Sequence, residues 1–263
     1  MTQEHRICSQ TGLALTSSPG PAFRIARESY GALAPRPRET ADDPAQWSRY
    51  DTVGRTIYAT DNQLTAYMEL LAPYRTIVGR KRRALQPLAN FMDVELDDLW
   101  DDIVSDWEQA GNMKASWLPR SFREGRAMFT LEFPTGWWID ITATETITAL
   151  HELFDNSWPT SSGAVEKSLT VSDLTGEDRV LTTAIAEMLR ENVTLDDGTL
   201  PLGVEFISKH GHPTGSDGRC WAYWMRGPDS GLAETTHVTN IAPILHDDPI
   251  FVAALKHCKI KAR

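Results

Sequence analysis

The sequence is short of cysteine, of long apolar runs and of basic charge, and each shortage removes a class of protein. Its 263 residues hold three cysteines, Cys8, Cys220 and Cys258, odd in number, widely spaced and with no CxxC pair. That pattern excludes a disulfide framework and a zinc ribbon, and points to three free thiols in a reducing cytoplasm. No apolar run reaches the ~18 residues that would suggest a membrane span. The opening MTQEHRICSQTGLALTSSPGP also lacks the continuous apolar stretch of a secretory signal. The expectation is a soluble, cytoplasmic protein with no membrane association. Lys and Arg number 26 against 36 Asp and Glu, a net charge of −10, which argues against direct nucleic-acid binding.

Familiar catalytic signatures are missing as well. No GxGxxG follows a strand, and neither GxxxxGK[ST] nor GxSxG occurs. His151-Glu152-Leu153-Phe154-Asp155 departs from HExxH at its last position. His210 and His212 stand two apart without a third ligand nearby, so they read as a loop-exposed pair and no metal site is expected. Gly79-Arg80-Lys81-Arg82-Arg83 reads as a solvated basic loop.

What is present suits a globular domain with a real core: 41% of residues are hydrophobic and 24% charged. The length is near the limit for one core, so one large domain is expected, with a flexible lead-in over 1–21 ending in Ser18-Pro19-Gly20-Pro21. Ala22 to Ala26 and Thr56 to Thr60 read as strands, and 34–47 as a long irregular loop. Thr60 or Asp61 is positioned to cap a helix that Pro73 ends near Leu71. Residues 84–94 carry mixed strand and turn signals. Leu96, Leu99, Trp100, Ile103, Val104 and Trp107 form one helical stripe, with Asp97, Asp98, Asp101, Asp102 and Asp106 mainly outside it. Residues 126–133 and 137–142 read as a hairpin across a Pro-Thr-Gly turn, and Thr144 as the cap of a helix through Phe154. Glu177 to Glu191 is a second amphipathic helix, and Gly203–Ser208 and Arg219–Met225 are late strands. Helices between early and late strands give an α+β class.

Within this frame a few residues carry candidate chemistry. Arg24, alone in an apolar strand, suits either a buried ion pair or a guanidinium fork for phosphate. Arg49-Tyr50 precedes a turn at Gly54, Tyr58 sits on the next strand and Glu69 on the next helix. Tyr58 suits a core aromatic with a satisfied hydroxyl, and Glu69 a solvated helix charge, unless a ligand calls on them. Alternation puts Val204, Phe206 and Ser208 on one strand face and Glu205 and Ile207 on the other.

Taken in order, these blocks resemble the RES domain family, named for its Arg, Glu and Ser. The likeness rests on Phe23-Arg24-Ile25, on Arg49-Tyr50-Asp51 and on GRTIYATDNQLTAYME over 54–69. It continues through RVLTTAIAE over 179–187, GVEFIS over 203–208 and RCWAYW over 219–224, so that it spans about 22–225. The resemblance implies an ADP-ribosyltransferase-like mixed sheet over 22–263 with a central insertion at about 95–170. It implies an enzyme that degrades NAD at the nicotinamide–ribose bond, by phosphorolysis or hydrolysis. No cofactor is called for: NAD is the substrate and inorganic phosphate a potential co-substrate. Glu69, Arg24 and Ser208 would be catalytic, and Arg49, Tyr50 and Tyr58 substrate-binding. The family also implies a toxin role, a helix-turn-helix antitoxin as partner, and room for a homo-oligomer. The alternatives are transfer of ADP-ribose to a macromolecule and a noncatalytic nucleotide- or partner-binding module.

Overall fold

Short runs of β-branched and aromatic residues recur from one end of the chain to the other, and nine of them join one sheet. The structure, a computed structural model, describes residues 3–112, 117–154 and 157–262, with side chains throughout except those of 76–81. Its strands are β1 (His5–Ile7), β2 (Ala14–Ser17), β3 (Ala22–Arg27), β4 (Thr56–Thr60), β5 (Trp117–Leu118), β6 (Arg126–Glu132) and β7 (Trp137–Asp140). They continue with β8 (Ser157–Thr160), β9 (Gly163–Glu166), β10 (Gly203–Ile207), β11 (Arg219–Trp224), β12 (His237–Pro243) and β13 (Lys261–Ala262). The helices are α1 (Gln63–Ala84), α2 (Gln86–Met92), α3 (Leu96–Gln109), α4 (Arg120–Glu124), α5 (Thr144–Leu153), α6 (Val171–Thr175), α7 (Arg179–Asn192), α8 (Arg226–Asp229) and α9 (Pro249–Cys258).

The main sheet runs β1-β2-β7-β10-β11-β4-β3-β6-β12. Its neighbours are antiparallel except β7 and β10, so the class is mixed α/β built on a large mixed sheet. The link from β6 to β7 decides its shape. In a flat sheet these strands, five places apart, would be about 24 Å from each other. The chain from Glu132 to Trp137 spans at most about 18 Å, so the sheet curls. The curl closes one face over Ile57, Ala59, Phe129, Leu131, Trp138, Trp221 and Tyr223. Phe133, in the link itself, lies 4.9 Å from the Trp138 ring and 5.3 Å from Tyr223. The opposite face carries α7 through Leu181, Ile185 and Leu189, and α1 and α9 through Tyr67, Leu71, Phe251 and Ala254.

The structure departs from the sequence-based expectations at several places. The 126–133 and 137–142 runs are strands but not a hairpin: β6 pairs with β3 and β12, and β7 with β2 and β10. Phe133 enters the aromatic core instead of letting the strands fold back. The span 95–170 is not a simple insertion, because β6 and β7 are interior strands of the main sheet. The lead-in is not flexible over its described part: β1 and β2 join the sheet, and Cys8, Leu13 and Leu15 are fully buried. Arg6 pins this segment to Asp196 and, at 3.1 Å, to Asp197.

Helix α1 runs through Pro73 to Ala84 rather than stopping at Leu71. Tyr67 and Leu71 anchor it against α9, which offsets the one backbone bond that proline removes, that to the carbonyl of Glu69. Its cap is neither Thr60 nor Asp61 but Asn62, whose side chain accepts from the Thr65 amide at 2.8 Å. Residues 86–92 form helix α2, and Ala143, not Thr144, stands at the cap of α5. The basic run 79–83 belongs to the end of α1 and is not a loop; the side chains of Arg80 and Lys81, and Asp155 of the HELFD stretch, lie outside the described residues. No helix among the described residues is long and apolar enough to cross a membrane.

Candidate active site

The sheet opens where β3 meets β4. Those strands share one register pair, Phe23 opposite Thr60, whereas β3 pairs with β6 along its whole length. Past that point the Tyr58 carbonyl has no strand partner, and Arg24 Nη1 donates to it at 2.9 Å. The guanidinium takes the place of the missing ladder donor and is held there by the gap. A cavity of about 710 Å³ lies at this opening, lined by residues of β3, β4, α1, the 47–49 turn, the start of α7 and the end of β10. That volume falls within the ~300–1,000 Å³ typical of small-molecule sites.

Alternation along β4 buries Ile57 and Ala59 in the curled core and turns Tyr58 to the cavity. The Tyr58 hydroxyl donates to Asp51 Oδ1 at 2.9 Å and accepts from the Tyr50 amide at 3.0 Å. Burial and the Asp51 charge push its pKa well above the usual tyrosine value, so it stays protonated. Asp51 also accepts from the Ser48 amide at 3.0 Å and from Arg38 Nε at 2.9 Å. Asp51 thus ties the turn carrying Arg49 to the strand carrying Tyr58. Gly54 completes that turn at φ +95°, and a Cβ there would stand 2.1 Å from Asp229 Oδ2, so only glycine fits.

Arg49 is only 7% exposed. Its guanidinium carbon lies 5.5 Å from the Phe206 ring centroid, and Nε donates to the Gly176 carbonyl at 3.4 Å. Among the described residues neither Arg24 nor Arg49 forms an ion pair, and Arg24 Nε is buried without a hydrogen-bond partner. Burial lowers the Arg24 pKa to about 10, which leaves it charged at neutral pH. The buried-ion-pair alternative for Arg24 therefore fails, and a charge without a counter-ion is left facing the cavity.

Glu69 projects from α1, and Ser208 Oγ donates to its Oε1 at 2.5 Å. The Ser208 hydroxyl in turn accepts from the His210 amide at 3.2 Å. His210 Nε2 stands 3.9 Å from Glu69 Oε2. Burial lowers the histidine pKa more than the Glu69 charge raises it, so the ring is neutral at pH 7.

Arg24, Arg49, Tyr58 and Glu69 all line the cavity, and Ser208 joins it through Glu69. Tyr50 does not: it is fully buried, donates to the Leu174 carbonyl at 2.7 Å and packs 5.1 Å from Phe206. Its place is beneath the floor, and the substrate-binding role expected for it has no access to a ligand. Sequence reasoning missed Phe206, Trp47, Arg179, Lys209, His210 and Glu177 as lining residues. Lys209 and His210 had a signal, since they follow Ser208 directly at a strand end. Arg179 had none beyond its place at the start of a helix and of the 179–187 block.

Four cationic side chains, Arg24, Arg49, Arg179 and Lys209, face two carboxylates, Glu69 and Glu177. A protein of net charge −10 thus presents a locally positive basin suited to an anion. The described residues hold no cluster of three or more His, Cys, Asp or Glu that could bind a metal ion.

One prediction follows from Arg24. A buried base whose pKa falls on folding penalises the fold at every pH below that lowered value, and the penalty lifts only as pH rises through about 10. Arg24→Met at pH 7 lifts that penalty but leaves the Tyr58 carbonyl without its donor, and the net expectation is a thermal midpoint raised by about 2–4 °C, roughly 1 kcal/mol in a domain of this size, with weaker anion binding. A midpoint several degrees lower, followed by circular dichroism, would show the guanidinium to be structural instead. No protein-family model, no curated protein and no solved structure matches the chain.

Proposed function

We propose that the chain is an enzyme that degrades NAD by breaking the nicotinamide–ribose bond, on a fold of ADP-ribosyltransferase type. The observation that carries this reading is the convergence of Arg24, Arg49, Tyr58 and Glu69 on one cavity, with Ser208 bonded to Glu69. Cleavage develops positive charge at the ribose carbon, and a carboxylate held beside it lowers the barrier. Glu69 takes that role. Ser208 fixes its Oε1 and leaves Oε2 to face the ribose, so Ser208 is a positioning residue. Arg24 and Arg49, without carboxylates of their own, hold the pyrophosphate by charge-assisted hydrogen bonds. Tyr58 offers its ring, because its hydroxyl is committed to Asp51.

The electron pair of the broken bond leaves with nicotinamide, which becomes neutral, and an oxygen of phosphate or water adds to the ribose carbon. Phosphate dianion needs no proton acceptor, whereas water releases a proton. The toxin role, the helix-turn-helix antitoxin and the cytoplasmic setting belong to the same reading.

The test is incubation of the protein with NAD, with and without inorganic phosphate, and resolution of the products by mass. ADP-ribose phosphate formed only with phosphate is the phosphorolytic outcome, and ADP-ribose in both samples the hydrolytic one. Labelled protein or nucleic acid would mean transfer. Intact NAD with folded protein would overturn the reading.

A further inference from the structure

Two of the four cations of the cavity are already neutralised. Glu177, at the mouth, sends one carboxylate oxygen to Arg179 Nη2 at 2.8 Å and the other to Lys209 Nζ. Its side chain is 69% exposed, while those of Arg179 and Lys209 are 20% and 27% exposed. The anion is thus the exposed member and the cations are the more deeply seated ones. Arg49 belongs to the same group, since Arg49 Nε and Arg179 Nη1 both donate to the Gly176 carbonyl at 3.4 Å. Three cations thus cluster at the mouth, and two of them hold one carboxylate. The neighbouring Asp178 does not compete, because its oxygens accept from the Leu181 amide, the Ser161 amide and the Ser161 hydroxyl.

We infer that Arg179 and Lys209, with Arg49 behind them, form a phosphate-dianion subsite at the cavity mouth, and that the Glu177 carboxylate is its built-in competitor. Two carboxylate oxygens on two cations mimic two phosphate oxygens. Partly exposed ion pairs are weak, so displacing Glu177 costs little. What displaces it must still offer more charge than a tethered monoanion. A phosphate monoester or inorganic phosphate, near −2 at pH 8, does so, and a phosphodiester at −1 does not. Glu177 therefore acts as a charge filter, leaving a pyrophosphate linkage, whose two phosphoryl groups carry only one charge each, to Arg24 and the shared Arg49. The inference rests on the proposed function only for which cavity the ligand enters.

Its test needs no NAD. Inorganic phosphate, ribose 5-phosphate and dimethyl phosphate are titrated by calorimetry at pH 8 into wild-type protein, Glu177→Gln, and Glu177→Gln combined with Lys209→Ala. The expected result is that wild type binds one or both dianions and binds dimethyl phosphate at least tenfold more weakly. Glu177→Gln should tighten dianion binding by roughly five- to tenfold, the scale of two partly exposed ion pairs. The tightening should vanish when Lys209 is also removed. The tighter of the two dianions identifies free phosphate or a sugar monophosphate as the source.

Dianion affinity unchanged by Glu177→Gln, a gain that survives loss of Lys209, or no dianion binding by any form would overturn the inference. Thermal unfolding of each variant keeps misfolding from imitating these results. Intact NAD in the product assay alongside a Glu177-dependent phosphate site would sink the enzymatic reading and leave this one standing.

Discussion

Glu69→Gln is expected to slow NAD cleavage by about 10³-fold, equivalent to roughly 4 kcal/mol of transition-state stabilisation. The substitution keeps the shape of the side chain and its hydrogen bond from Ser208, and removes only the negative charge. Arg24 and Arg49 are untouched, so NAD should still bind, and the loss should fall on kcat with KM little changed. Ser208→Ala frees the carboxylate without discharging it and should cost less, about tenfold, because it acts through orientation. Single-turnover cleavage of NAD measures both. A Glu69→Gln enzyme within threefold of wild type would remove the carboxylate from the chemistry, and with it the principal support for the proposed mechanism.

The largest stability effect is expected on the opposite face of β10, at Glu205. Its carboxylate is 3% exposed and accepts from Trp221 Nε1 and Gln3 Nε2 at 2.8 Å, Arg219 Nη1 at 2.9 Å and Thr16 Oγ at 3.1 Å. Those donors come from β2, β11 and the segment before β1, so one carboxylate stitches the N-terminal edge of the sheet to its centre. Glu205→Ala leaves the Trp221 and Thr16 donors buried and Arg219 without its inner counter-charge. A loss of about 3–5 kcal/mol is expected, measured by urea unfolding. Glu205→Gln, which can still accept from Trp221, should lose clearly less. A loss below 1 kcal/mol for the alanine variant would mean that water replaces the carboxylate at no cost. Phe206 projects into the cavity side from the next residue, so NAD cleavage by the folded fraction of Glu205→Ala should be near normal.

The contrast between these glutamates shows which parts of the molecule were legible in the sequence. Alternation placed Glu205 and Phe206 on opposite faces of β10 correctly, because a strand has a strict period of two. The helical stripe of α7 was legible for the same kind of reason. Pairing was not. Nothing local in Arg126–Glu132 and Trp137–Asp140 says that two strands separated by a short link join different halves of a curled sheet. Neighbouring positions in an irregular turn were equally opaque: Arg49 faces the cavity and Tyr50 the core, with no periodicity to say which. Arg179 and Glu177 look like ordinary surface charges two residues apart, and only the fold brings Lys209, from the far end of β10, to the same carboxylate.

The order of the strands also bears on how the molecule comes into being on the ribosome. Strand β4 lies beside β11, with Thr60 opposite Cys220, and the cavity takes walls from Phe23 through to Cys220. An emerging chain that has reached only α7 holds Arg24, Arg49 and Glu69 but lacks Ser208, Lys209 and the strand that closes the sheet beside β4. Closing such distant pairings is slow compared with forming helices. The nascent protein therefore has no cavity until β11 has emerged, and any activity of the site switches on only after that strand has paired with β4.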